Sequence, residues 1–246
     1  MVSVSFCFVW TFFNAGIAFS QNEKIPALLD RLIKNIYALR TAPEQARSAL
    51  AALHDRLRAA EKIDRENAGE KESTLIFPVA GYSARDVGGA RGNSYIESRS
   101  YDFFDGNAHR GHPALDIFIH DRNQDCLSGR TGKPVDVRSV CDGIVVCVNA
   151  AWTADSVDAR GKILRGGKSV YIYSREEDAL WYYAHLQSVF VTIGEKIKKG
   201  KVIGSVGRSG ANAMKKRSDT HLHLMYLKWM GEKLQPQNPF KRLGGE

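Results

Sequence analysis

The segment Thr220-His221-Leu222-His223-Leu224, near the C-terminus, carries two histidines separated by one leucine. Successive side chains of a β-strand point to opposite faces. This alternation therefore predicts that His221 and His223 lie side by side on one face while the leucines point to the other. Two imidazoles that face one site indicate a metal or catalytic centre built on a strand, and the rest of the chain is interpreted around it.

Residues elsewhere in the sequence can supply the further ligands that a metal needs. His112 and Asp116 are four residues apart across a proline, and His185 follows an aromatic run. A hydrolytic zinc site takes three protein ligands and leaves a fourth position to water, whose pKa falls to about 7. The sequence therefore predicts a zinc site formed by His112, Asp116 and His223. His185 and His221 then remain for proton transfer, because histidine titrates in the pH range that this task requires.

Three more histidines are less favoured as metal ligands or catalytic groups. His54 falls within a predicted helix and is interpreted as a solvated residue. His120 is interpreted as a core or cleft-wall residue. His109, three residues before His112 in a polar loop, is a less favoured alternative ligand.

Length and composition indicate a folded protein with one large domain, or with one domain and a small appendage. The chain has 246 residues, of which 43% are hydrophobic, so it can bury a substantial core. Its formal net charge of +8 favours an anionic environment such as nucleic acid, a membrane surface or an acidic wall polymer. No nucleic-acid-binding motif is visible, so no nucleic acid is expected as a partner.

The first 20 residues are uncharged and apolar and end in Ala18-Phe19-Ser20. Small residues at positions 18 and 20 fit the cleavage rule of secretory signal peptides, so residues 1–20 are predicted to be a signal peptide. The basic segment that normally begins a signal peptide is missing. The alternative interpretation of residues 1–20 is an uncleaved membrane anchor. Either interpretation predicts an exported protein of the periplasm or cell envelope, in contact with the membrane only if this segment is uncleaved.

Cysteines then remain at positions 126, 141 and 147. An odd number allows at most one intramolecular disulfide in an oxidising compartment. Asp142-Gly143 predicts a two-residue hairpin turn that pairs Cys141 with Ile144 and makes a Cys141–Cys147 bridge unfavourable. Any disulfide is therefore expected to involve Cys126.

Residues 21–66 are predicted to form an antiparallel helical hairpin. Apolar residues recur at three- and four-residue steps from Ile25 to Leu39, and again from Ala46 to Leu57. The hairpin is either a packing element or a regulatory, partner-binding arm that restrains access to the site. The polar residues 67–73 are interpreted as a linker.

From residue 74 to 246 the sequence predicts a β-rich domain, because short runs rich in Val, Ile, Tyr and Phe alternate with turn residues. Two segments, 81–111 and 149–167, are too long for hairpin turns and are expected to line a cleft. The predicted strands are Leu75–Val79, Leu115–Ile119, Val135–Val140, Gly143–Asn149, Ser169–Tyr173, Leu180–His185, Val189–Ile193, Lys201–Val206 and His221–Lys228.

The order and spacing of these motifs resemble the LytM/lysostaphin-type zinc metallopeptidases, which cleave peptide cross-links of bacterial peptidoglycan. The resemblance extends from about Phe77 to Leu227. The segments that carry it are Gly111–Asp116, Gly132–Val135, Asp142–Val145, Tyr183–Leu186, Ile193–Gly204, Gly207–Gly210 and His221–His223.

This resemblance implies a mainly β fold, an antiparallel β-rich peptidase domain with an N-terminal α-helical hairpin. It also implies that His112, Asp116 and His223 bind zinc and that His185 and His221 are catalytic. Tyr183 would line the groove, although an ordinary strand aromatic is as good an interpretation. The expected substrate is a peptidoglycan stem peptide, and the hairpin could bind a regulatory protein.

Two other functions remain open from the sequence. One is a non-catalytic relative that binds the wall or activates a hydrolase, which loss of site residues would mark, and none of the five is lost. The other is a peptidase for a different extracellular peptide.

Overall fold

The structure is a computed structural model that describes residues 23–65, 74–88, 94–106, 110–231 and 233–245. The predicted signal peptide, the predicted linker and His109 lie outside these residues. Within the described part of the chain, no helix has both the length and the apolar character that a membrane span requires.

Two helices precede nine strands. The helices are α1 (Ile25–Tyr37) and α2 (Pro43–Arg65). Pro26 and Pro43 lie in the first turns, where a proline is tolerated because its missing N–H would have no helical partner. The strands are β1 (Leu115–Phe118), β2 (Asp136–Arg138), β3 (Gly143–Asn149), β4 (Lys168–Ser174), β5 (Ala179–Val189), β6 (Lys196–Ile197), β7 (Val202–Val206), β8 (His221–Met230) and β9 (Lys233–Gln237).

The strands form one antiparallel sheet, as the predicted fold class requires. Its main order is β1-β8-β5-β4-β3-β6, while β9 pairs with β8, and β7 pairs with both β5 and β2. The two longest strands, β5 and β8, lie next to each other in the middle of this order. Residues on β5 and β8 therefore have a neighbouring strand on each side.

Alternation along β5 and β8 divides the apolar side chains between the two faces of the sheet. One face carries Tyr183, Leu222 and Leu224, which belong to a core cluster with β1, β2 and β7. The opposite face carries Tyr182, Ala184 and other residues that share a second cluster with the helices. The helical hairpin thus packs on one face of the sheet.

His54 is buried at this helix–sheet contact, so the prediction of a solvated residue is wrong. Its ring stacks on Trp229 at 3.7 Å between centroids, and its Nε2 lies 2.6 Å from Asp178 Oδ1. Tyr173 donates a hydrogen bond to the same carboxylate oxygen. These partners come from β8, β4 and the β4–β5 turn. The spacing of apolar residues along α2 gives no information about those distant segments.

Two predicted strands are absent from the described residues. In Leu75–Val79 only Val79 forms a bridge, because Pro78 has no N–H with which to extend a ladder. In Val189–Ile193 the first residue ends β5 and the others form a turn closed by the Thr192 N–H and the Glu195 carboxylate. The short β6 and the edge strand β9 were not predicted.

The predicted Asp142-Gly143 hairpin is also wrong. Strand β2 pairs with β7, and β3 pairs with β4 and β6, so residues on either side of the turn belong to different ladders. Cys126, Cys141 and Cys147 are buried free thiols. Burial raises the pKa of the Cys141 thiol to about 12.

We expect Leu53→Ala to destabilise helices and sheet together, because Leu53 is 1% exposed within the cluster they share. Removing a buried leucine typically costs about 2–5 kcal/mol. Denaturant unfolding should show one transition at a lower midpoint, with helical and aromatic signals moving together. Arg56→Ala, at an exposed position on the same helix, should change stability by no more than about 0.5 kcal/mol. Two separated transitions in the parent would contradict a shared core.

Candidate active site

The pairing of β1 with β8 places Asp116 directly opposite His223. Directly opposed residues of an antiparallel pair project from the same face, so their side chains meet. His223 Nδ1 lies 2.9 Å from Asp116 Oδ1. Ala184 of β5 lies opposite His223 on its other side and leaves space above the sheet because its side chain is a single methyl group.

His112 reaches the same carboxylate from the segment before β1. An isolated bridge to Ile96 holds its backbone. Its Nδ1 lies 3.0 Å from the Ser94 carbonyl oxygen, and its Nε2 lies 3.2 Å from Asp116 Oδ2. Both oxygens of Asp116 therefore face an imidazole.

His185 enters the site through a β-bulge. Strand β5 pairs with β8 up to Ala184 and with β7 from Leu186, and its register against β4 gains one extra residue at this point. His185 has φ +63°, a left-handed backbone conformation that is rare for residues other than glycine. Bulges of this kind re-aim a side chain, and here the His185 ring lies 4.9 Å from that of His221 and 5.4 Å from that of His223.

Backbone carbonyls fix the tautomers of three histidines. Nδ1 of His112, His185 and His221 lies 3.0, 2.8 and 2.7 Å from the carbonyl oxygens of Ser94, Ser209 and Asp219 respectively. A carbonyl can only accept a hydrogen bond, so each Nδ1 carries the proton. When the rings are neutral, each Nε2 keeps a free lone pair.

The electrostatics of the group favour an ionised Asp116 and a neutral His185. Burial acts to raise the pKa of Asp116, but hydrogen bonds from His112 and His223 outweigh it and hold that pKa well below its ordinary value. Burial, together with the neighbouring His223 and His221, lowers the pKa of His185 to about 3. Burial also lowers the pKa of His223. For His112, burial acts in the same direction, but the hydrogen bond to Asp116 raises its pKa overall.

These residues fit a divalent metal ion. One ligand atom from each of His112, Asp116 and His223 can be chosen so that all lie within 4.8 Å of one another. Metal–ligand bonds of about 2.0–2.1 Å at a tetrahedral angle place ligand atoms roughly 3.4 Å apart, close to the 3.2 and 2.9 Å contacts of Asp116. Two imidazoles and one carboxylate carry a single negative charge and suit zinc.

The family model of peptidase family M23 matches residues 126–239. Those residues form an M23 peptidase domain. The matched segment contains His185, His221 and His223, while His112 and Asp116 precede it. A comparison with curated proteins gave no match.

Solved structures of M23 peptidases are similar to this chain. The catalytic domain of lysostaphin from Staphylococcus simulans is 21% identical, with a TM-score of 0.38 over 56% of this chain and 81% of that one. A putative M23 peptidase from Pseudomonas aeruginosa is 15% identical, with a TM-score of 0.43 over 77% of this chain and 62% of that one. A zinc-containing peptidase from Vibrio cholerae is 17% identical, with a TM-score of 0.41 over 73% of this chain and 43% of that one.

The groove above the histidines of the M23 domain has walls from several parts of the chain. Tyr182 lines it, and its ring lies 6.1 Å from that of His223. Tyr183 does not, because it points into the opposite core, where its hydroxyl accepts a hydrogen bond from the Val140 N–H. The strand-aromatic interpretation of Tyr183 is therefore correct. Arg165 and Gly166, from the predicted cleft-lining segment 149–167, contribute to the wall.

His120 lies outside this group. It follows the end of β1, its side chain is exposed, and its Nε2 contacts Arg130 Nη2 at 2.6 Å. The prediction of a core or cleft-wall position is wrong, because β1 ends before residue 120 and the exposed His120 does not line the groove.

Several residues that hold the histidines could not be found from the sequence. Ser209 supplies the carbonyl for His185, and its hydroxyl accepts from the Lys168 N–H and donates to the Leu186 carbonyl. Gly210 has φ +109°, and a Cβ there would lie 2.1 Å from the Arg165 carbonyl oxygen. The sequence predicted only a turn at Ser209 and Gly210. The contact with His185 could not be predicted, because its partner is a backbone carbonyl, which every residue type has.

We expect the M23 domain to bind about one divalent metal ion per chain, as one three-ligand site requires. Asp116→Ala should abolish metal retention, because Asp116 is the only anion of the ligand group. Elemental analysis of purified, dialysed protein measures this. His120→Ala, which removes an exposed imidazole just beyond the same strand, should retain the metal. Retention by Asp116→Ala would contradict the ligand assignment.

Proposed function

We propose that this protein is an exported zinc metalloendopeptidase that hydrolyses peptide cross-links of bacterial peptidoglycan. The observation that carries the proposal is the convergence of His112, Asp116 and His223 with two further imidazoles in one groove of an M23 domain. A structural metal site would need no such pair, whereas a hydrolytic site requires groups that move protons.

His112, Asp116 and His223 would hold the zinc. Bound there, the ion supplies a Lewis acid and a water molecule that loses a proton near neutral pH. The Ser94 carbonyl orients the His112 ring, which presents its Nε2 to the site. His223 and Asp116 are held on paired strands, so the sheet sets the positions of these two ligands.

His221 is the proposed proton acceptor. Its Nε2 has a free lone pair in the neutral ring and lies 3.7 Å from Asp116 Oδ1, so an imidazolium formed there faces a carboxylate. The same proton can then pass to the leaving amine, as general acid–base catalysis requires.

His185 is the proposed orienting group. Burial keeps its ring neutral at physiological pH, and its Nε2 can accept a hydrogen bond from the attacking water. Its bulged backbone and the Ser209 carbonyl hold the ring in place. The two histidines would therefore differ in role, although both face the same groove.

The proposed substrate and location rest on the whole chain. A net charge of +8 suits a negatively charged wall, and the uncharged N-terminal segment suits export. The groove is lined by Arg165 and by Asn212, Ala213 and Ser218, and the basic run at positions 215–217 lies in the chain between the last two. An anionic polymer would be attracted to that rim.

The proposal is tested by incubating the purified protein with purified peptidoglycan and measuring both muropeptide release and metal content. His223→Ala should lose metal and activity together. His221→Ala should keep the metal and lose roughly 100- to 10,000-fold in turnover, the usual contribution of a general acid–base group. His120→Ala is the matched control and should keep both.

Other outcomes would favour the competing functions. A metal-loaded protein that binds peptidoglycan and releases no muropeptides would indicate a binding or activating relative. Cleavage of a soluble protein without cleavage of peptidoglycan would indicate a different peptide substrate.

A further inference from the structure

The segment 149–167 lines the groove and also a second cavity, of about 350 Å³, which adjoins it. Gly166 and Tyr182 line both spaces, and the C-terminal end of α1 forms another wall of the cavity. The Ala159 N–H donates to the Ala38 carbonyl and ties the segment to the end of α1. The segment is therefore a wall of the groove that is anchored to the helices.

Backbone hydrogen bonds hold this wall on both sides of Arg165, the charged residue that the segment contributes to the groove. On one side, the Leu164 carbonyl accepts from the Ala211 N–H at 3.3 Å. On the other, the Gly166 carbonyl accepts from the His185 N–H at 3.0 Å, which attaches the segment to the bulge of β5. The position of Arg165 is therefore set by the same junction that aims His185 at the site.

The contact with Ala211 brings a second polar residue, Asn212, to the same part of the groove lining. The two chain segments approach closely because Gly210 has no side chain, since a Cβ there would lie 2.1 Å from the Arg165 carbonyl oxygen. Asn212 Oδ1 accepts a hydrogen bond from Lys215 Nζ at 3.2 Å. An ammonium group only donates, so this contact occupies the amide oxygen of Asn212 and leaves its NH₂ group as a donor for a ligand.

The charges of the groove favour an anionic ligand group at this wall. Among the lining residues that the structure describes, Arg165 is the cation other than histidine. Asp116 is the carboxylate among them, and both of its oxygens contact histidines. A guanidinium presents a planar fork of N–H donors that matches the two oxygens of a carboxylate. Arg165 and Asn212 together therefore offer the donors that a carboxylate requires.

We propose that Arg165 and Asn212 form a subsite for a free carboxylate of the substrate peptide, close to the scissile bond, with Arg165 as the specificity-determining residue. The inference rests on the proposed function and deepens it, because the subsite selects among peptide cross-links by charge. Cross-links with a free carboxyl group beside the scissile bond are good substrates, and those in which that group is absent or amidated are poor ones.

The test uses two synthetic cross-linked peptide dimers that differ only at the carboxyl group nearest the scissile bond. One dimer keeps the carboxylate, and the other carries a primary carboxamide, which has nearly the same shape and no charge. The parent protein should cleave the carboxylate dimer with a kcat/KM roughly 10- to 100-fold higher, the usual effect of a charge-assisted hydrogen bond. The difference should lie in KM, because the carboxylate takes no part in bond cleavage.

Arg165→Gln should abolish this preference and give equal kcat/KM for the two dimers. Arg165→Lys keeps the charge without the planar fork, so it should retain part of the preference. Lys162→Gln is the matched control, because it removes one positive charge from an exposed position of the same segment that does not line the groove. This control should keep the full preference, and all three variants should keep the metal content of the parent.

Equal cleavage of the two dimers by the parent would overturn the subsite, as would a preference that survives in metal-loaded Arg165→Gln. A preference that Lys162→Gln also loses would overturn it too, because the general charge of the segment would then be the cause.

Calorimetric binding of the same dimers separates the subsite from the proposed function. If the parent cleaves neither dimer, roughly tenfold tighter binding of the carboxylate dimer that Arg165→Gln loses would support the subsite and contradict the proposed function. Equal or undetectable binding of the two dimers would overturn the subsite as well.

Discussion

The carboxylate of Asp116 is the charge on which the arrangement of the candidate site depends. A buried carboxylate is unfavourable unless it is paired, and Asp116 is paired with an imidazole at each oxygen. One imidazole belongs to β8 and the other to the segment before β1, so the pairing requires the β1–β8 register. A shift of one residue in that register would turn His223 to the opposite face, where Leu222 and Leu224 are buried. The same apolar contacts that stabilise the sheet therefore fix the ligand group.

The remaining imidazoles depend on irregular backbone. His185 projects into the site because β5 changes partner from β8 to β7 at that residue, and the change requires a bulge and a positive φ. A positive φ at a residue other than glycine is energetically unfavourable, and it is kept only where contacts with the surrounding residues hold it. Here Ser209 bonds to both β4 and β5, and the lack of a side chain at Gly210 allows close approach to Arg165. Regular strands thus hold Asp116 and His223, and a strained junction holds His185.

The parts of the structure that were predictable from sequence are those with a local period. Alternation in His221–Leu224 predicted strand β8 and the shared face of its histidines, and the three- and four-residue steps predicted the hairpin. Contacts between distant segments had no such signal. The burial of His54 depends on Trp229 and Asp178. Which of Tyr182 and Tyr183 shares a face with the site depends on which face of the sheet the helices cover. An aromatic pair in a strand is always ambiguous in this way, because its two members necessarily face opposite sides.

The site residues and the walls of the adjoining cavity come from different elements. The five site residues lie on or next to β1, β5 and β8, three strands at one end of the main sheet order, where β8 pairs with both β1 and β5. The adjoining cavity instead requires the end of α1 and the segment 149–167, joined through Ala38 and Ala159. Tyr182 connects the two regions, because it lies between the His223 ring and the Tyr37 ring. A hairpin packed on the sheet in this way shares its buried core with the strands that carry the site.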